Sequence, residues 1–543
     1  MTTDYANSGG LIALALKRAG VSHLFTLNGG HIWPILMGAV EYDIRIIDVR
    51  HEQSAAFAAE GWAKVTRECG VAAVTAGPGV TNSVTALAQA QSSDSPMFLI
   101  GGRAPEARWG MGSLQEMDHV PVVKSLTKKA LTLQSAEDAY GTAAECMRTA
   151  LSRRTGPVFI DVPVDVLLSA TDMPEATEHL TPDSGPSPDP DLIQRTARLI
   201  KEAERPAVIA GGSVWWAHAE AELKELVESA HLPLCVNGMA RGVLPPGHPL
   251  FFPRARAIAL GEADLILVIG VPLDFRLNFG QPPVFAEDAR LVFIDVDDHR
   301  KHRVAEAGIY GDVKAALSAL ALAAAGAHER TQWLDKLRGA EAASRRKDEV
   351  MTQSDSSPVH PARLIAEVDR FSDPDAILVG DGGEFVSFAG RLIERREPGL
   401  WIDPGPFGCL GSGPGYAMAA KLAHPDRQVI LLSGDGAFGF SAMEFDTMVR
   451  HRIPVVCVVG NNGMWGQEEH PMQTMMGVSI AAKLAQRTRY DKVVEALGGH
   501  GEMVERPDQI RPALERAFKS GLPACINVIC DPDVEYPRSS VVL

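Results

Sequence analysis

Short apolar runs recur along the chain, each closed by a polar or glycine-rich break and followed by a helical period. His23–Leu27, Ile44–Val49, Val71–Thr75, Met97–Ile100 and Val158–Val162 read as strands, and Leu11–Ala19 reads as an amphipathic helix. Such runs, bounded by turn residues, are what buried strands look like in sequence. Strands alternating with helices predict a parallel sheet covered on both faces. The pattern resumes with strands at Ala207–Ala210, Leu265–Gly270 and Leu291–Val296 and a helix at Ala315–Ala325. A third block has a strand ending at Asp381, then Val429–Ser433 and Pro454–Gly460 on either side of a helical Ser441–His451. The expected fold class is therefore α/β, with three doubly wound parallel-sheet domains.

Between the blocks, Ala170–Asp191 is rich in Pro, Asp, Ser and Thr and has no apolar period, so it reads as a linker. The charged stretch His328–Asp355 leads to a second boundary. The predicted division is 1–169, a linker 170–191, 192–327, a linker 328–357, 358–530, and a C-terminal segment 531–543. A length of 543 residues suits about three domains.

Composition narrows the function. A formal charge of −16 argues against a nucleic-acid partner, which needs a basic footprint. No apolar run approaches the roughly 20 residues that span a bilayer, so no membrane role is expected. Seven scattered cysteines without a CxxC pair, and an N-terminus without a signal-peptide pattern, suit a reduced cytoplasmic protein.

The candidate chemistry sits at predicted strand ends. Gly434-Asp435-Gly436 closes one strand and Asn461-Asn462 closes the next, with Asp435 and Asn462 27 positions apart. In an open parallel sheet, ligands bind beyond the carboxyl ends of the strands. A carboxylate, an amide oxygen and a nearby backbone carbonyl suit Mg²⁺, whose other positions go to water and phosphate. Glycines there let a diphosphate approach the backbone.

The segment Gly434–Asn462 resembles the diphosphate-binding signature of thiamine diphosphate enzymes. The resemblance implies that Asp435, the Asn462 side chain and the Met464 carbonyl hold Mg²⁺, with Gly434, Gly436, Ala437 and Trp465 around the cofactor. Asp48–Trp62 (DVRHEQSAAFAAEGW) resembles the segment carrying the family's catalytic carboxylate, which makes Glu52 the acid that contacts the pyrimidine ring. The Gly-Pro-Gly turn in Val74–Asn82 implies pyrimidine contacts from Pro78 and Asn82. GPFGCLGSGPGYA implies a carbonyl contact near Gly408 and a bulky prop at Leu410, and DGGE places Gly383 and Glu384 near the diphosphate or substrate.

Within that family, Asn237–Asp297 resembles 2-hydroxyacyl-CoA lyases and oxalyl-CoA decarboxylases, in Ala255-Arg256-Ala257, Leu273–Gly280 and Pro282-Pro283. This implies an acyl-CoA substrate touched by Arg254, Ala255 and Arg256, under a C-terminal lid bearing Tyr536, Arg538 and Ser539. Met111–Glu116 resembles the lyase pattern ending in Gln-Glu, which points to Gln115 and Glu116. Glu468, Glu469 and His470 are candidates for proton transfer, and Gly30 and His31 for the substrate pocket. Arg154 and Asp295 would remain from an ADP site whose other positions carry Gly212 and Pro272, and FAD is not expected. The resemblance implies reversible cleavage of a 2-hydroxyacyl-CoA to formyl-CoA plus a ketone or aldehyde. The alternatives are an acetolactate synthase-like carboligase or decarboxylase of 2-oxo acids, an oxalyl-CoA decarboxylase, and a non-catalytic cofactor-binding paralogue. Family members assemble as homodimers or homotetramers with active sites between chains.

Overall fold

The computed structural model describes residues 5–173, 181–299 and 302–537. Three parallel sheets dominate it, one per predicted block. In spatial order the first holds Arg45–Asp48, His23–Leu27, Gly70–Val74, Met97–Arg103, Val158–Pro163 and Lys129–Thr132. The third holds Trp401–Ile402, Ile377–Asp381, Val429–Gly434, Val456–Asn461, Ala524–Ile529 and His500–Val504. Counted along the chain, both read 2-1-3-4-6-5, a repeated topology without a visible sequence repeat. The middle sheet, with Leu234–Val236 and Ala307–Tyr310 at its edges, reads 2-1-3-4-5. In each, strand order reverses between the first and third strands, where α/β sheets open a ligand crevice.

Most predicted strands form within a residue or two of the expected bounds, because their side chains are buried on both faces and leave long apolar runs. The expected helix Ser441–His451 is instead two helices, Asp435–Ser441 and Glu444–His451, so Asp435 begins a helix directly after its strand. The first linker is partly ordered. Ala170–Asp172 pairs antiparallel with Tyr5–Asn7, and Pro190–Glu202 is already a helix capped by the Asp189 side chain.

The second linker is largely helical. Thr331–Thr352 is a helix of 22 residues, and its charges are not a solvated face. Glu341 and Asp348 are buried and bind Arg254 of the middle domain, while Asp348 also binds Arg391 of the third. Arg345 reaches Glu394 at 2.9 Å, which completes an ion cluster joining the helix to both domains. Composition alone reads charges as exposed, yet buried charges persist when they are paired.

The first and third domains pack helix against helix, Glu52–Thr66 on Gly413–Ala423. A buried polar cluster sits in this seam. Glu60 accepts from the Tyr416 hydroxyl at 2.6 Å and from Ser95 at 3.2 Å, and its carboxylate lies 3.2 Å from Lys64. Lys64 also donates to the Asp403 carbonyl at 2.8 Å. No helix among the described residues is long and apolar enough to cross a membrane.

Candidate active site

The third sheet brings its motif together at the switch point. Asp435 is buried, and its Oδ2 accepts the Gly463 N–H at 2.9 Å, which folds the Asn462–Met464 segment onto it. Burial raises the Asp435 pKa to about 6, and no described cation pairs with its carboxylate. Asn462 Oδ1 takes the Met464 N–H at 3.3 Å, a weak bond that leaves a lone pair. No group of three His, Cys, Asp or Glu side chains gathers among the described residues. The donor set is thus one carboxylate, one amide and backbone carbonyls, which fits Mg²⁺ completed by phosphate oxygens.

A side chain built on Gly434 would point into open space, while one on Gly436 would strike the Trp465 ring at 2.4 Å. The backbone is therefore bare at Gly434, whereas the missing side chain of Gly436 makes room for the Trp465 ring. Asp381, at the end of the neighbouring strand, accepts the N–H groups of Gly411 and Gly413 at 3.0 and 2.8 Å. It thereby pins the loop bearing half-exposed Leu410 and Gly408, the latter at φ 70°.

The first sheet's switch point carries the other half. Glu52 is buried at the first position of its helix, and its Oε2 accepts from Asn82 Nδ2 at 3.0 Å. Pro78 is exposed at the start of the Asn82 helix. Nearby, the Thr75 hydroxyl donates to Gln115 Oε1 at 3.2 Å and lies 3.1 Å from His31 Nδ1. His31 and Gln115, far apart in sequence, thus share one hydrogen-bonded group with Thr75. Burial lowers the His31 pKa, against a hydrogen bond to the Leu114 backbone. Gly30 faces open space. Glu116 Oε2 takes the Ser113 N–H at 3.3 Å, so that carboxylate closes its own turn.

Several expected contacts are spent elsewhere. Arg254 does not face a phosphate: its Nε binds Asp348 at 2.7 Å, and its guanidinium also meets Glu341 and Glu394. Ala255 is buried, whereas half-buried Arg256 has no ion pair among the described residues. Glu384 is not open to a diphosphate, since its Oε1 takes His470 Nδ1 at 2.9 Å and the Tyr536 N–H at 3.0 Å. His470 Nε2 meets the Pro532 carbonyl at 3.0 Å, and these acceptors raise its pKa against the opposing effect of burial. Glu468 is exposed, and Glu469 is buried 3.9 Å from Lys483. Arg538 and Ser539 lie outside the described residues.

Between the first and middle domains, Arg154 binds Asp94 at 2.8 Å and Asp297 at 3.2 Å, while within the middle domain Asp295 accepts from Ser213 at 2.7 Å. A cavity of about 430 Å³ opens there, lined among others by Arg67, Arg154, Trp216 and Lys314.

Two positions were invisible in the sequence. Buried Glu444 accepts the Arg50 N–H at 3.2 Å on each carboxylate oxygen, holding the loop before Glu52 from the third domain. His119 bonds Gly77 and Asp161. The one available signal was a lone carboxylate, Asp161, inside the apolar run Val158–Val162.

Two sheets of the same topology, each with polar residues beyond its strand ends at the switch point, define an α/β protein built to bind a ligand there. The chain belongs to the thiamine diphosphate (thiamine pyrophosphate) enzymes: the N-terminal binding domain of that family matches residues 7–122, the central domain 193–320, and the C-terminal binding domain 381–528. It is 52% identical over 99% of its length, and all of the relative's, to "Acetolactate synthase large subunit IlvG" of Mycobacterium tuberculosis. It is 35% identical to "2-hydroxyacyl-CoA lyase 2" of Caenorhabditis elegans, over 94% of this chain and 87% of that protein. The human protein of the same name is 34% identical, over 96% and 90%.

Proposed function

We propose that the chain is a thiamine diphosphate-dependent carboligase of 2-oxo acids, acting in the manner of an acetolactate synthase. The observation that carries this is the 52% identity across the whole chain to a relative of that name. The commitment of Arg254 to three carboxylates agrees with it, because the arginine expected to grip CoA phosphate is spent. Thiamine diphosphate, when bound, supplies a carbon nucleophile for carbonyl addition. Asp435, Asn462 and the Met464 carbonyl hold its Mg²⁺, Gly434 admits the diphosphate, and Gly436 lets Trp465 pack beside it. Glu52 hydrogen-bonds the pyrimidine ring nitrogen, with Asn82 orienting its carboxylate, and Leu410 props the ring. His31, Thr75 and Gln115 line the pocket where a carbonyl substrate is oriented.

The second reading is reversible cleavage of a 2-hydroxyacyl-CoA to formyl-CoA. It is favoured by relatives at 33–35% identity, matched over 87–90% of their own length, that carry the lyase name, and by Arg256, which has no ion pair among the described residues. Assembly as a homodimer or homotetramer, a cytoplasmic location, and ADP in the cavity between the first and middle domains belong to the proposal as well. The deciding assay offers pyruvate, 2-oxobutyrate, a panel of 2-hydroxyacyl-CoAs and oxalyl-CoA. Acetolactate and carbon dioxide from pyruvate support the carboligase. Formyl-CoA from a hydroxyacyl thioester, without carboligation, replaces it with the lyase.

A further inference from the structure

His119 is fully buried between the two functional turns of the first domain. The Gly77 N–H points at its Nε2 at 2.9 Å, and an N–H can only donate, so that nitrogen is bare. The ring proton is therefore on Nδ1, which faces Asp161 Oδ2 at 3.0 Å. The same oxygen takes Arg103 NH1 at 3.0 Å, so Asp161 is neutralised without needing a second charge on the ring. Arg103 in turn stacks 3.7 Å over the Trp109 ring and pairs with Asp118 at 3.3 Å, which ties down both ends of the loop bearing Gln115.

The held segments are strained. Gln115 sits at φ 58° and Gly77 at φ 59°, both in the left-handed region, which is unfavourable for a glutamine. The two back onto each other: a side chain on Gly77 would meet the Gln115 Cβ and carbonyl oxygen at 3.0 Å. Gly77 also begins the helix whose Asn82 holds Glu52. One acceptor nitrogen thus fixes the turn that faces the cofactor acid on one side and the pocket glutamine on the other.

We infer that His119, kept in its Nδ1–H form by Asp161 and Arg103, is the positioning residue that sets the Gly77 turn and the Gln115 loop. This rests on the reading that the two switch points form a thiamine diphosphate site, but the first measurement below does not.

The test compares His119→Gln, His119→Asn and His119→Phe. Glutamine puts an acceptor where Nε2 stands, asparagine reaches only toward Asp161, and phenylalanine keeps the volume with neither bond. Amide hydrogen exchange at Gly77 is read on the purified protein with and without thiamine diphosphate, and kcat and KM on the substrate that the parent turns over. Loss of a buried hydrogen bond is expected to speed Gly77 exchange about tenfold or more in the Asn and Phe variants. The Gln variant should stay within about threefold of the parent, and KM should follow the same ranking rather than thermal stability. Equal Gly77 exchange in the Gln and Asn variants would overturn the inference, as would a KM ranking that tracks stability alone. If the phenylalanine variant fails to fold, the Gln–Asn pair carries the comparison. If the parent turns over no substrate, the proposed function falls, and Gly77 exchange still decides the role of His119.

Discussion

Asn82 Nδ2 donates to Glu52 Oε2 across 3.0 Å, so one oxygen of this buried carboxylate is already bonded and the other is left for the proposed pyrimidine contact. Glu52→Gln should keep the fold and Mg²⁺ binding but lose about 10²–10⁴-fold in turnover, the usual scale for a proton-transfer group. Asn82→Ala should cost less, about 10–100-fold, since it removes one bond to a charged group. Exchange of the cofactor C2 proton without substrate checks both. Near-parental exchange in Glu52→Gln would remove Glu52 from its role.

Asp435 supplies a pH dependence with a defined sign. Its carboxyl is raised to about 6, so below that pH it holds a proton that the proposed Mg²⁺ would have to displace. Mg²⁺ affinity should fall about tenfold per unit on acidification below pH 6 and level off above it. In the metal-free protein the sign reverses. A raised carboxyl favours folding below its unfolded pKa, and that contribution is lost as pH rises through about 6. Asp435→Asn should then weaken Mg²⁺ binding yet raise the metal-free melting temperature at pH 7. Calorimetric titration from pH 5 to 8 reads the first effect and thermal melts the second.

The Glu60–Lys64–Tyr416 cluster fastens the Glu52 helix to the third domain. Glu60→Leu leaves Lys64 buried without its carboxylate and should destabilise by about 3–5 kcal/mol. Tyr416→Phe removes a single hydroxyl donor and should cost about 1–3 kcal/mol. Denaturant unfolding checks both, and equal costs would argue against a charge-centred seam.

The segment 532–536 is held by His470 and Glu384, with both imidazole nitrogens facing acceptors. Because the His470 pKa is raised, this docking is complete below pH 6.5 and fades as pH rises through the raised value. Hydrogen exchange of that segment should quicken with rising pH beyond the chemical rate, and His470→Gln should make it pH-independent. Deleting Tyr536–Leu543 should raise the substrate KM and leave thiamine diphosphate affinity unchanged. A truncation with parental KM would remove the lid reading.

Much of the fold was legible because buried parallel strands leave apolar runs that no other element needs. The Asp435–Asn462 pair was legible for the same reason: each follows such a run, and strand ends meet at a switch point. The Thr331–Thr352 helix and the partners of Arg254 were not. A charged stretch reads the same whether its carboxylates face water or a neighbour's guanidinium, and only docking decides which. The partners of Glu384 were hidden in the same way, since nothing local shows that His470 and the Tyr536 N–H reach it.

The sequence by itself determined three parallel-sheet domains, the cofactor class and the residues at the strand ends, because these follow from local periodicity and short motifs. Only the tertiary structure decided which side chains serve those residues. Gly77 and His119 are 42 positions apart and Arg50 and Glu444 are 394 apart. Hydrogen bonds form over about 3 Å and carry no sequence period, so such pairs exist only once separate elements have packed.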